Sequence, residues 1–483
     1  MSLQKALVAV DLGAQSCRVS LLRWKNGVPE ARVVHRFQNA PVSSGKGLRW
    51  DIAGIFAGVR AGLRQCAETA TEGIAAVGID GWAVDYVRLG RDGKRLGDPF
   101  CYRDERSTQA MRPAFELIAP ERLYELTGIQ IIGLNSIFQL YADKIAGIDK
   151  GFRWLNLPEY ITYLLGGRPV AEYTNATHTQ LVSLGQQRWC REIFEALGLA
   201  VSAAPDIVET GTLVGTITGD LARHRAFCET QLIVPACHDT ASAIAAIPAI
   251  GDDWAFISSG TWSLVGSVLE RPCVSDQARE MNFTNLGGVG GTICFLKNVN
   301  GMWLLRQCLD EWAKAGQVWT VGELSRECEK LAPPGFLIDV DDPQLMVPGN
   351  LPAHINARLT EAGHAALPCD QSGIPQMANL IFHSLAQRYA EVLDAMARVT
   401  EKKLKRLFIV GGGGRNDLLN RLTAQRTGLV VHCGSSEAST IGNFAVQMAA
   451  LNGGGSSRSG VGAGEVAQFA AALSSVPFSG FME

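Results

Sequence analysis

The fold is decided by the stretch Lys5–Trp24, which reads KALVAVDLGAQSCRVSLLRW. Its first six residues form an apolar run that predicts a buried strand, and Arg18–Trp24 predicts a second strand. The small residues between the strands match neither a P-loop nor a dinucleotide-binding turn, because GKS/GKT and GxGxxG are both absent. Backbone N–H groups and hydroxyls at such a tip can bind phosphate, and Asp11 at its base can hold hydrated magnesium. A plain hairpin turn is the alternative.

A similar strand–turn–strand pattern lies midway along the chain. Trp254–Ile257 and Trp262–Val268 predict strands, and Ser258–Thr261 supplies a tip of small, hydroxylic residues. The repeated pattern predicts two like halves. A length of 483 residues also favours two domains.

The composition excludes several classes of function. The chain is 47% hydrophobic and 19% charged, with a net charge of −3, which is typical of a soluble protein with a large core. We therefore expect no nucleic-acid partner, and no apolar run is long enough to predict a membrane span. The N-terminus shows no signal-peptide pattern, and the twelve cysteines form no CxxC pair, so we expect reduced thiols and a cytoplasmic location. The isolated histidines predict no structural metal site.

One acidic residue stands out in the segment Pro235–Ala243, which reads PACHDTASA after an apolar run. Asp239 is placed to accept a proton inside a cleft. The alternative is that Asp239 or Thr240 caps a helix over Ala241–Ile247, and the local sequence favours that cap.

One further segment allows two interpretations. Ile74–Asp80 and Val84–Leu89 predict strands on either side of a kink, where Asp80, Asp85 and Trp82 form either a binding ledge or ordinary strand ends.

Three other polar segments predict local structure only. Phe100–Arg106 resembles a surface cluster of ion pairs, and Glu172–Leu181 predicts a solvated loop or a bent strand. Lys297–Leu309 starts polar and continues as an amphipathic helix.

A glycine-rich turn near the C-terminus predicts a nucleotide contact. Arg406–Val410 predicts a buried strand, Gly411–Gly414 a turn, and Asn416 the cap of a helix over Asp417–Thr427. This order lets the backbone approach a nucleotide closely, with a merely tight turn as the alternative. The low-complexity segment Gly453–Gly464 predicts a mobile loop.

Eight segments, in this order, resemble the FGGY carbohydrate kinases from Asp11 to beyond Asn416. DLG or GGGG alone is weak, whereas HDTASA, SSGTWSL and LKN together are specific for one ketose-kinase branch. The segments are DLGAQSCR (Asp11–Arg18), GIDGWAVDY (Gly78–Tyr86), YRDER (Tyr102–Arg106), EYTNATHTQL (Glu172–Leu181), HDTASA (His238–Ala243), SSGTWSL (Ser258–Leu264), LKNVNGMWLL (Leu296–Leu305) and IVGGGGRN (Ile409–Asn416).

The resemblance implies an α/β fold of the actin/hexokinase type, with two ribonuclease-H-like domains around a central nucleotide and sugar cleft. We expect an N-terminal domain over residues 1–247, with the first phosphate hairpin, the sugar site and the catalytic base. A C-terminal domain over residues 248–483 would hold the second hairpin and the nucleotide site.

The resemblance also assigns roles to residues. Asp239 becomes the general base for the substrate's C1 hydroxyl, and Asp11 the residue that holds Mg²⁺ beside ATP. The implied sugar-binding residues are Trp82, Ala83, Asp85, Arg103, His238, Asp239 and Thr240. The implied ATP-binding residues are Ala14, Gln15, Ser16, Cys17, Arg18, Thr261, Asn298, Arg306, Gly412 and Gly413.

The implied activity is an ATP-dependent ketose kinase that forms a 1-phosphate, with L-rhamnulose as the leading substrate. Alternatives are a kinase for another ketose or polyol, of the fuculose or xylulose type, or an actin-like ATP-binding scaffold or chaperone without a sugar. The implied partners are ATP and a small ketose, with the chain as a monomer or homodimer. Asp239 beside His238 and Thr240 favours the kinase, because a scaffold needs no base.

Five positions depart from the pattern of that branch. Gly is usual where Ala83 stands, Thr where His178 stands, and Gln where Arg306 stands. The hairpin tip reads AQSCR instead of ASSGR, through Gln15 and Cys17. These changes leave the sugar more open than the kinase activity, because the phosphate and base residues are retained.

Overall fold

The computed structural model describes residues 5–45, 47–346, 349–453, 460–476 and 478–479. Strands and helices alternate along these residues. The strands are β1 (Ala6–Leu12), β2 (Ser16–Lys25), β3 (Val28–Gln38), β4 (Pro41–Ser44), β5 (Gly47–Trp50), β6 (Ile74–Gly81), β7 (Tyr86–Leu89), β8 (Arg153–Asn156), β9 (Val170–Glu172), β10 (Asp206–Val208), β11 (Leu213–Thr216), β12 (Gln231–Ile233), β13 (Trp254–Ser259), β14 (Trp262–Leu269), β15 (Thr284–Gly287), β16 (Ile293–Asn300), β17 (Arg406–Val410), β18 (Val430–Cys433) and β19 (Phe478–Ser479). The helices are α1 (Ile52–Thr69), α2 (Glu105–Phe115), α3 (Pro120–Thr127), α4 (Ser136–Ile145), α5 (Leu157–Leu165), α6 (Tyr173–His178), α7 (Arg191–Ala196), α8 (Asp239–Ala245), α9 (Asp276–Glu280), α10 (Trp303–Lys314), α11 (Val321–Cys328), α12 (Leu351–Glu361), α13 (Gly373–Thr400), α14 (Asp417–Thr427), α15 (Ala438–Asn452) and α16 (Ala463–Leu473).

The chain divides into two compact units. The first comprises Met1–Ile250, Val268–Phe295 and Glu437–Glu483, and the second comprises Gly251–Ser267 and Leu296–Ser436. The first change of unit falls close to the expected boundary at residue 247. A single boundary does not anticipate the two later segments of the first unit, because contacts between residues far apart in sequence place them there.

The first sheet has the strand order β11-β12-β6-β1-β2-β3-β19. The predicted hairpin is confirmed: β1 and β2 pair antiparallel, and β6 pairs parallel with β1 on its other side. Every residue of β1 is buried. Val8 and Val10 belong to one core cluster with Val59 of α1, whereas Ala9 belongs to another with Phe444 of α15. A strand with core on both faces explains the continuous apolar run.

The second sheet has the order β15-β16-β14-β13-β17-β18. Its hairpin, β13 with β14, is again antiparallel, and β17 pairs parallel with β13. The order β18-β17-β13-β14-β16 therefore repeats the order β12-β6-β1-β2-β3 of the first sheet. The prediction of two like halves is confirmed at the level of strand order.

The two longest helices among the described residues are α1 and α13. None of the helices in the described part of the chain has the length and apolar character needed to cross a bilayer. None of the twelve cysteines, all within the described residues, forms a disulfide bond. Residues 454–459 of the predicted mobile loop Gly453–Gly464 lie outside the described residues.

One local prediction is wrong. Tyr173–His178 is the buried helix α6 rather than a solvated loop, because Glu172 caps it by accepting from the Thr174 and Asn175 N–H groups. Polar residues fold as a helix here because buried partners satisfy their side chains. The amphipathic helix predicted after the polar start of Lys297–Leu309 is confirmed as α10, which begins at Trp303, and the polar start belongs to strand β16.

Candidate active site

Two buried carboxylates lie side by side where β1 and β6 end. Asp11 and Asp80 occupy paired register positions on these parallel strands, so their side chains share one face. Arg18 lies opposite Asp11 on β2, and its Nη2 is 3.2 Å from Asp11 Oδ2. The predicted hairpin therefore carries an ion pair at the base of its tip.

The start of α15 contributes to the same cluster. Arg18 Nη1 lies 2.5 Å from Oε2 of Glu437, the residue that precedes α15. Ser439 donates from its hydroxyl to Asp11 Oδ2. The sequence analysis missed both residues, because more than four hundred residues separate them from the hairpin and no local pattern marks them.

Asp80 is fully buried within this cluster. Its Oδ2 accepts from Asn443 Nδ2 at 2.5 Å, whereas Oδ1 has no hydrogen-bond partner among the described residues. Burial, and then the charge of Asp11, raise the pKa of Asp80 well above its usual range. The cluster is therefore short of positive charge.

Asp239 is joined to β6 through the backbone that precedes it. The Gly81 N–H donates to the Cys237 carbonyl at 3.0 Å, and Gly81 forms an isolated bridge with His238. The side chain of Asp239 remains 35% exposed. Desolvation by the surrounding protein, and then the charge of Asp11, raise the pKa of Asp239 to about 7. This carboxyl group can exchange a proton near neutral pH.

The predicted capping role of Asp239 or Thr240 is wrong. Helix α8 begins at Asp239 itself, its N-cap is His238, and no side chain accepts the capping hydrogen bond. Asp239 receives a contact at 3.3 Å from the Thr240 hydroxyl. The carboxylate therefore lies in the first helical turn, where the helix dipole favours negative charge.

Two histidines follow one another beside this carboxylate. His238 Nε2 lies 3.3 Å from Asp239 Oδ1, and His238 Nδ1 lies 2.9 Å from His178 Nε2. Desolvation lowers the pKa of His178 to about 3 and that of His238 well below its usual range. Both imidazoles are therefore neutral near pH 7.

Asp85 is a support of the loop between β6 and β7. Its Oδ2 accepts from Trp50 Nε1 at 2.6 Å, Trp82 Nε1 at 3.0 Å and the Tyr102 N–H at 3.2 Å. Its Oδ1 accepts from Gln139 Nε2 at 3.0 Å. Burial raises the pKa of Asp85 to about 6. Four donors hold this buried carboxylate, so the predicted ledge of Asp85 and Trp82 is a hydrogen-bonded scaffold.

The same loop holds a strained residue next to Ala83. Val84 has φ +73°, which a β-branched residue rarely adopts. Ser136 Oγ and Gln139 Nε2 both donate to its carbonyl, at 2.6 and 3.2 Å. These bonds fix the backbone at Ala83, which is itself buried. Arg103, by contrast, is exposed, with its guanidinium 5.3 Å from the Tyr102 ring.

The first hairpin tip presents backbone and short side chains. A Cβ at Gly13 would overlap the Ser16 carbonyl oxygen, so this tight turn requires glycine. Asn39 braces the tip: its side-chain amide donates to the Gly13 carbonyl and its N–H to the Gln15 carbonyl. Gln15 is exposed, and Ala14 and Ser16 are half-buried.

Cys17 departs from its expected role at the tip. Its side chain is fully buried in the core below the sheet, and burial raises the pKa of its thiol to about 12. Only the backbone of Cys17 is therefore placed to contact a phosphate group.

The second unit contains a cavity of about 650 Å³ around the glycine-rich turn. Asn416 caps α14 there, as predicted, by accepting from the Leu419 N–H. A Cβ at Gly413 would overlap the Ser259 hydroxyl, whereas one at Gly412 would meet no atom within 4 Å. The lining includes Gly260, Gly412, Gly413, Arg326, Arg415 and Arg421.

Three of the expected ATP-binding residues in the second unit are absent from the described lining of this cavity. Thr261 lies exposed at the second hairpin tip, and its carbonyl accepts from the Trp303 N–H. Asn298 lies on β16. Arg306 is exposed on α10, with its Nε 3.3 Å from Asp310 Oδ1. Arg306 therefore pairs along its own helix.

Comparison with known proteins places this architecture in a family. Models of the N-terminal and C-terminal domains of the FGGY family of carbohydrate kinases match residues 6–246 and 255–451. The chain belongs to the FGGY family of carbohydrate kinases. It is an ATP-dependent carbohydrate kinase with an actin/hexokinase-like α/β fold.

Individual proteins agree with this assignment. A rhamnulokinase of Bacteroides thetaiotaomicron is 37% identical over 442 residues, which cover 91% of this chain and 89% of the relative. A rhamnulokinase of Enterococcus faecalis is 36% identical over 456 residues, which cover 92% of this chain and 90% of the relative. A gluconate kinase structure from Lactobacillus acidophilus matches with a TM-score of 0.78 at 16% identity, covering 96% of this chain and 92% of that chain. The last likeness shows the fold alone.

Proposed function

We propose that this kinase transfers the γ-phosphoryl group of ATP to the C1 hydroxyl of L-rhamnulose, with Asp239 as the general base. The observation that carries the proposal is Asp239 itself, a partly exposed carboxylate whose pKa is raised to about 7 beside Asp11. The choice of sugar is supported by relatives named rhamnulokinase over nine-tenths of the chain.

In the proposed reaction, the protein takes part in one proton transfer. As the C1 oxygen attacks the γ-phosphorus, its proton passes to the Asp239 carboxylate, the bond from the γ-phosphorus to the bridging oxygen breaks, and ADP leaves. Phosphoryl transfer depends mainly on positioning and charge stabilisation, so one oriented carboxylate suffices. A base with a pKa near the working pH combines the ionised form with adequate proton affinity.

The carboxylate cluster fits a magnesium ion. Four carboxylates, Asp11, Asp80, Asp239 and Glu437, interact with Arg18, and Glu437 also pairs with Arg36, so carboxylates outnumber guanidinium groups in the cluster. The unpartnered Asp80 Oδ1 adds an oxygen donor of the kind Mg²⁺ prefers.

Asp11 would hold the ion, with water and ATP phosphates as its other ligands. Mg²⁺ usually keeps several waters and takes one or two carboxylates from the protein. When bound, the ion would neutralise charge on the phosphates.

The pH dependence follows from the base. Because Asp239 accepts the proton only when it is ionised, kcat/KM for the sugar should fall as the pH drops through its pKa of about 7 and should level off above it. Initial rates at saturating ATP, from about pH 5.5 to about pH 9, measure this limb. A profile that stays flat to the acid end would contradict the assignment.

Gly412 tests the proposed nucleotide site. Since a Cβ there would meet no atom within 4 Å, Gly412→Leu should place its side chain in the cavity without disturbing the fold. We expect the KM for ATP to rise about tenfold, with an unchanged free energy of unfolding. Gly335→Leu is the matched control, because Gly335 is equally unobstructed and lies outside the cavity lining. Equal KM values for ATP in the two variants would show that ATP does not bind in this cavity.

A sugar panel tests the substrate. ADP release should be measured with L-rhamnulose, L-fuculose and D-xylulose under identical conditions. The proposal expects the highest kcat/KM with L-rhamnulose. Preference for another ketose would reject L-rhamnulose as the substrate while leaving the kinase assignment intact. Ala83→Gly would then be the first substitution to test.

A further inference from the structure

Helices α6 and α8 place two imidazoles in a row of contacts that ends at Asp239: His178 contacts His238, and His238 contacts Asp239. His178 ends α6, His238 precedes α8, and their ring centroids are 3.9 Å apart at 55°. The two nitrogen contacts, His178 Nε2 to His238 Nδ1 at 2.9 Å and His238 Nε2 to Asp239 Oδ1 at 3.3 Å, run through opposite sides of one ring.

We propose that His178 is a positioning residue, which fixes the tautomer of His238 and thereby orients the Asp239 carboxylate. This inference rests on the proposed role of Asp239 as the general base. His178 is not a catalytic residue in this account, because it acts only through His238.

The direction of the two hydrogen bonds follows from the charge on Asp239. An ionised carboxylate only accepts hydrogen bonds, so His238 must carry its proton on Nε2. A neutral His238 then has a lone pair on Nδ1, and His178 Nε2–H must donate to it. Without that donor, the tautomer protonated on Nδ1 gains stability, and its Nε2 lone pair faces the carboxylate.

Neutral rings suit this role better than charged ones. An imidazolium beside Asp239 would stabilise the carboxylate and reduce its affinity for a proton. Desolvation keeps His178 and His238 neutral by lowering both pKa values, and the neighbouring His178 lowers the pKa of His238 further. The other charged groups that interact with Asp239 are Asp11, Asp80 and Arg18. The pair can thus orient the base without weakening it.

A buried carboxylate fixes the two segments that carry the histidines. Glu172 Oε2 accepts from the Thr174 N–H at the start of α6, at 3.0 Å, and from the Cys237 N–H at 2.9 Å. Thr174 Oγ1 also contacts the His238 N–H at 3.4 Å. One side chain therefore sets the spacing between His178 and His238, as an alignment of two rings requires.

The reach of the imidazole at position 178 brings its Nε2 to within 2.9 Å of His238 Nδ1. A threonine hydroxyl lies much closer to its own backbone than an imidazole Nε2 does. Threonine would therefore end short of His238, whereas glutamine places an N–H donor close to the position of the histidine Nε2.

Two variants at position 178 distinguish a hydrogen-bond donor from a side chain that only fills space. We expect His178→Ala to lower kcat for sugar phosphorylation by about tenfold to a hundredfold, with little change in either KM. His178→Gln should restore kcat to within about threefold of the parent chain. His35→Ala, on β3 of the same unit and in contact with Gln65, is the matched control and should retain full activity.

The tautomer is measured directly, without substrate. In chain labelled with ¹⁵N-histidine, His238 should show the neutral form protonated on Nε2, and His178→Ala should shift it towards the Nδ1 form. His178→Gln should keep the Nε2 form. An unchanged His238 spectrum in His178→Ala, or equal kinetic losses for the Ala and Gln variants, would overturn the proposal. A rise in KM for the sugar in both variants would also overturn it, because His178 would then contact the sugar.

The design distinguishes this inference from the proposed function. If Asp239→Asn retained full turnover, the role of Asp239 as base would fail. The ¹⁵N spectra of the parent and His178 variants would still decide whether His178 sets the His238 tautomer. If Asp239→Asn is inactive and His178→Ala is fully active, the positioning role alone fails.

Discussion

Asp239→Asn is expected to phosphorylate L-rhamnulose about a thousandfold more slowly than the parent chain. The amide preserves the shape of the side chain but cannot accept the C1 proton. The affinity for ATP should stay within about twofold, because no ATP contact is assigned to this side chain. Coupled measurement of ADP release, with ATP titrated separately, gives both numbers.

The same variant should not be less stable than the parent chain. The folded-state pKa of Asp239 is raised to about 7, whereas an unfolded aspartate titrates near about 3.9. Between these values the folded state binds more protons, so the contribution of this group to stability falls as the pH rises. Asparagine escapes that loss, and urea unfolding at about pH 8 should show equal or greater stability for the variant.

Asp220→Asn is the matched control. Asp220 is an exposed aspartate of the same unit that pairs with Arg60 and Arg64, and its loss should leave turnover unchanged. If Asp239→Asn worked within about fivefold of this control, another group would have to be the base.

Gly442→Ala should cause a large loss of stability, although it adds only one carbon atom. Gly442 lies where α15 crosses α8, and its Cβ would overlap the Ser242 carbonyl oxygen and lie 3.1 Å from the Ala246 N. Both neighbours are backbone atoms, so the helices must separate. We expect a loss of about 3 kcal/mol in the free energy of unfolding, although alanine favours a helix in isolation.

A displaced α8 should also reduce turnover, because Asp239 is its first residue. Gly453→Ala, at the end of α15, is the matched control, since its Cβ would lie 3.8 Å from the nearest atoms. Urea unfolding of both variants decides the matter. Equal unfolding free energies would show that the crossing is less tight than the structure indicates.

The architecture could be predicted from the sequence because local patterns of apolar and small residues indicate it. Apolar runs at β1 and β13, each followed by a small tip and a returning strand, indicate the duplication directly. The register that places Asp11 beside Asp80 and opposite Arg18 depends on pairing between strands and is only visible in the sheet.

The remainder of the site depends on long-range contacts. Nothing near Glu437 predicts its pairing with Arg18, and the polar segment after Glu172 looks solvated until its buried partners are known. Local propensity likewise favoured a cap at Asp239, whereas the bridge from Gly81 to His238 fixes where α8 begins. The proposed role of Arg306 in binding ATP remains a prediction, and its pairing with Asp310 does not favour it.

One measurement tests the central claim most directly. L-rhamnulose carrying ¹³C at C1 is incubated with ATP, Mg²⁺ and either the parent chain or Asp239→Asn, and the product is analysed by ¹³C NMR. The account predicts that the C1 resonance acquires coupling to phosphorus with the parent chain and stays uncoupled with the variant over the same time. An uncoupled C1 resonance while ADP accumulates, or coupling that appears equally fast with Asp239→Asn, would contradict it.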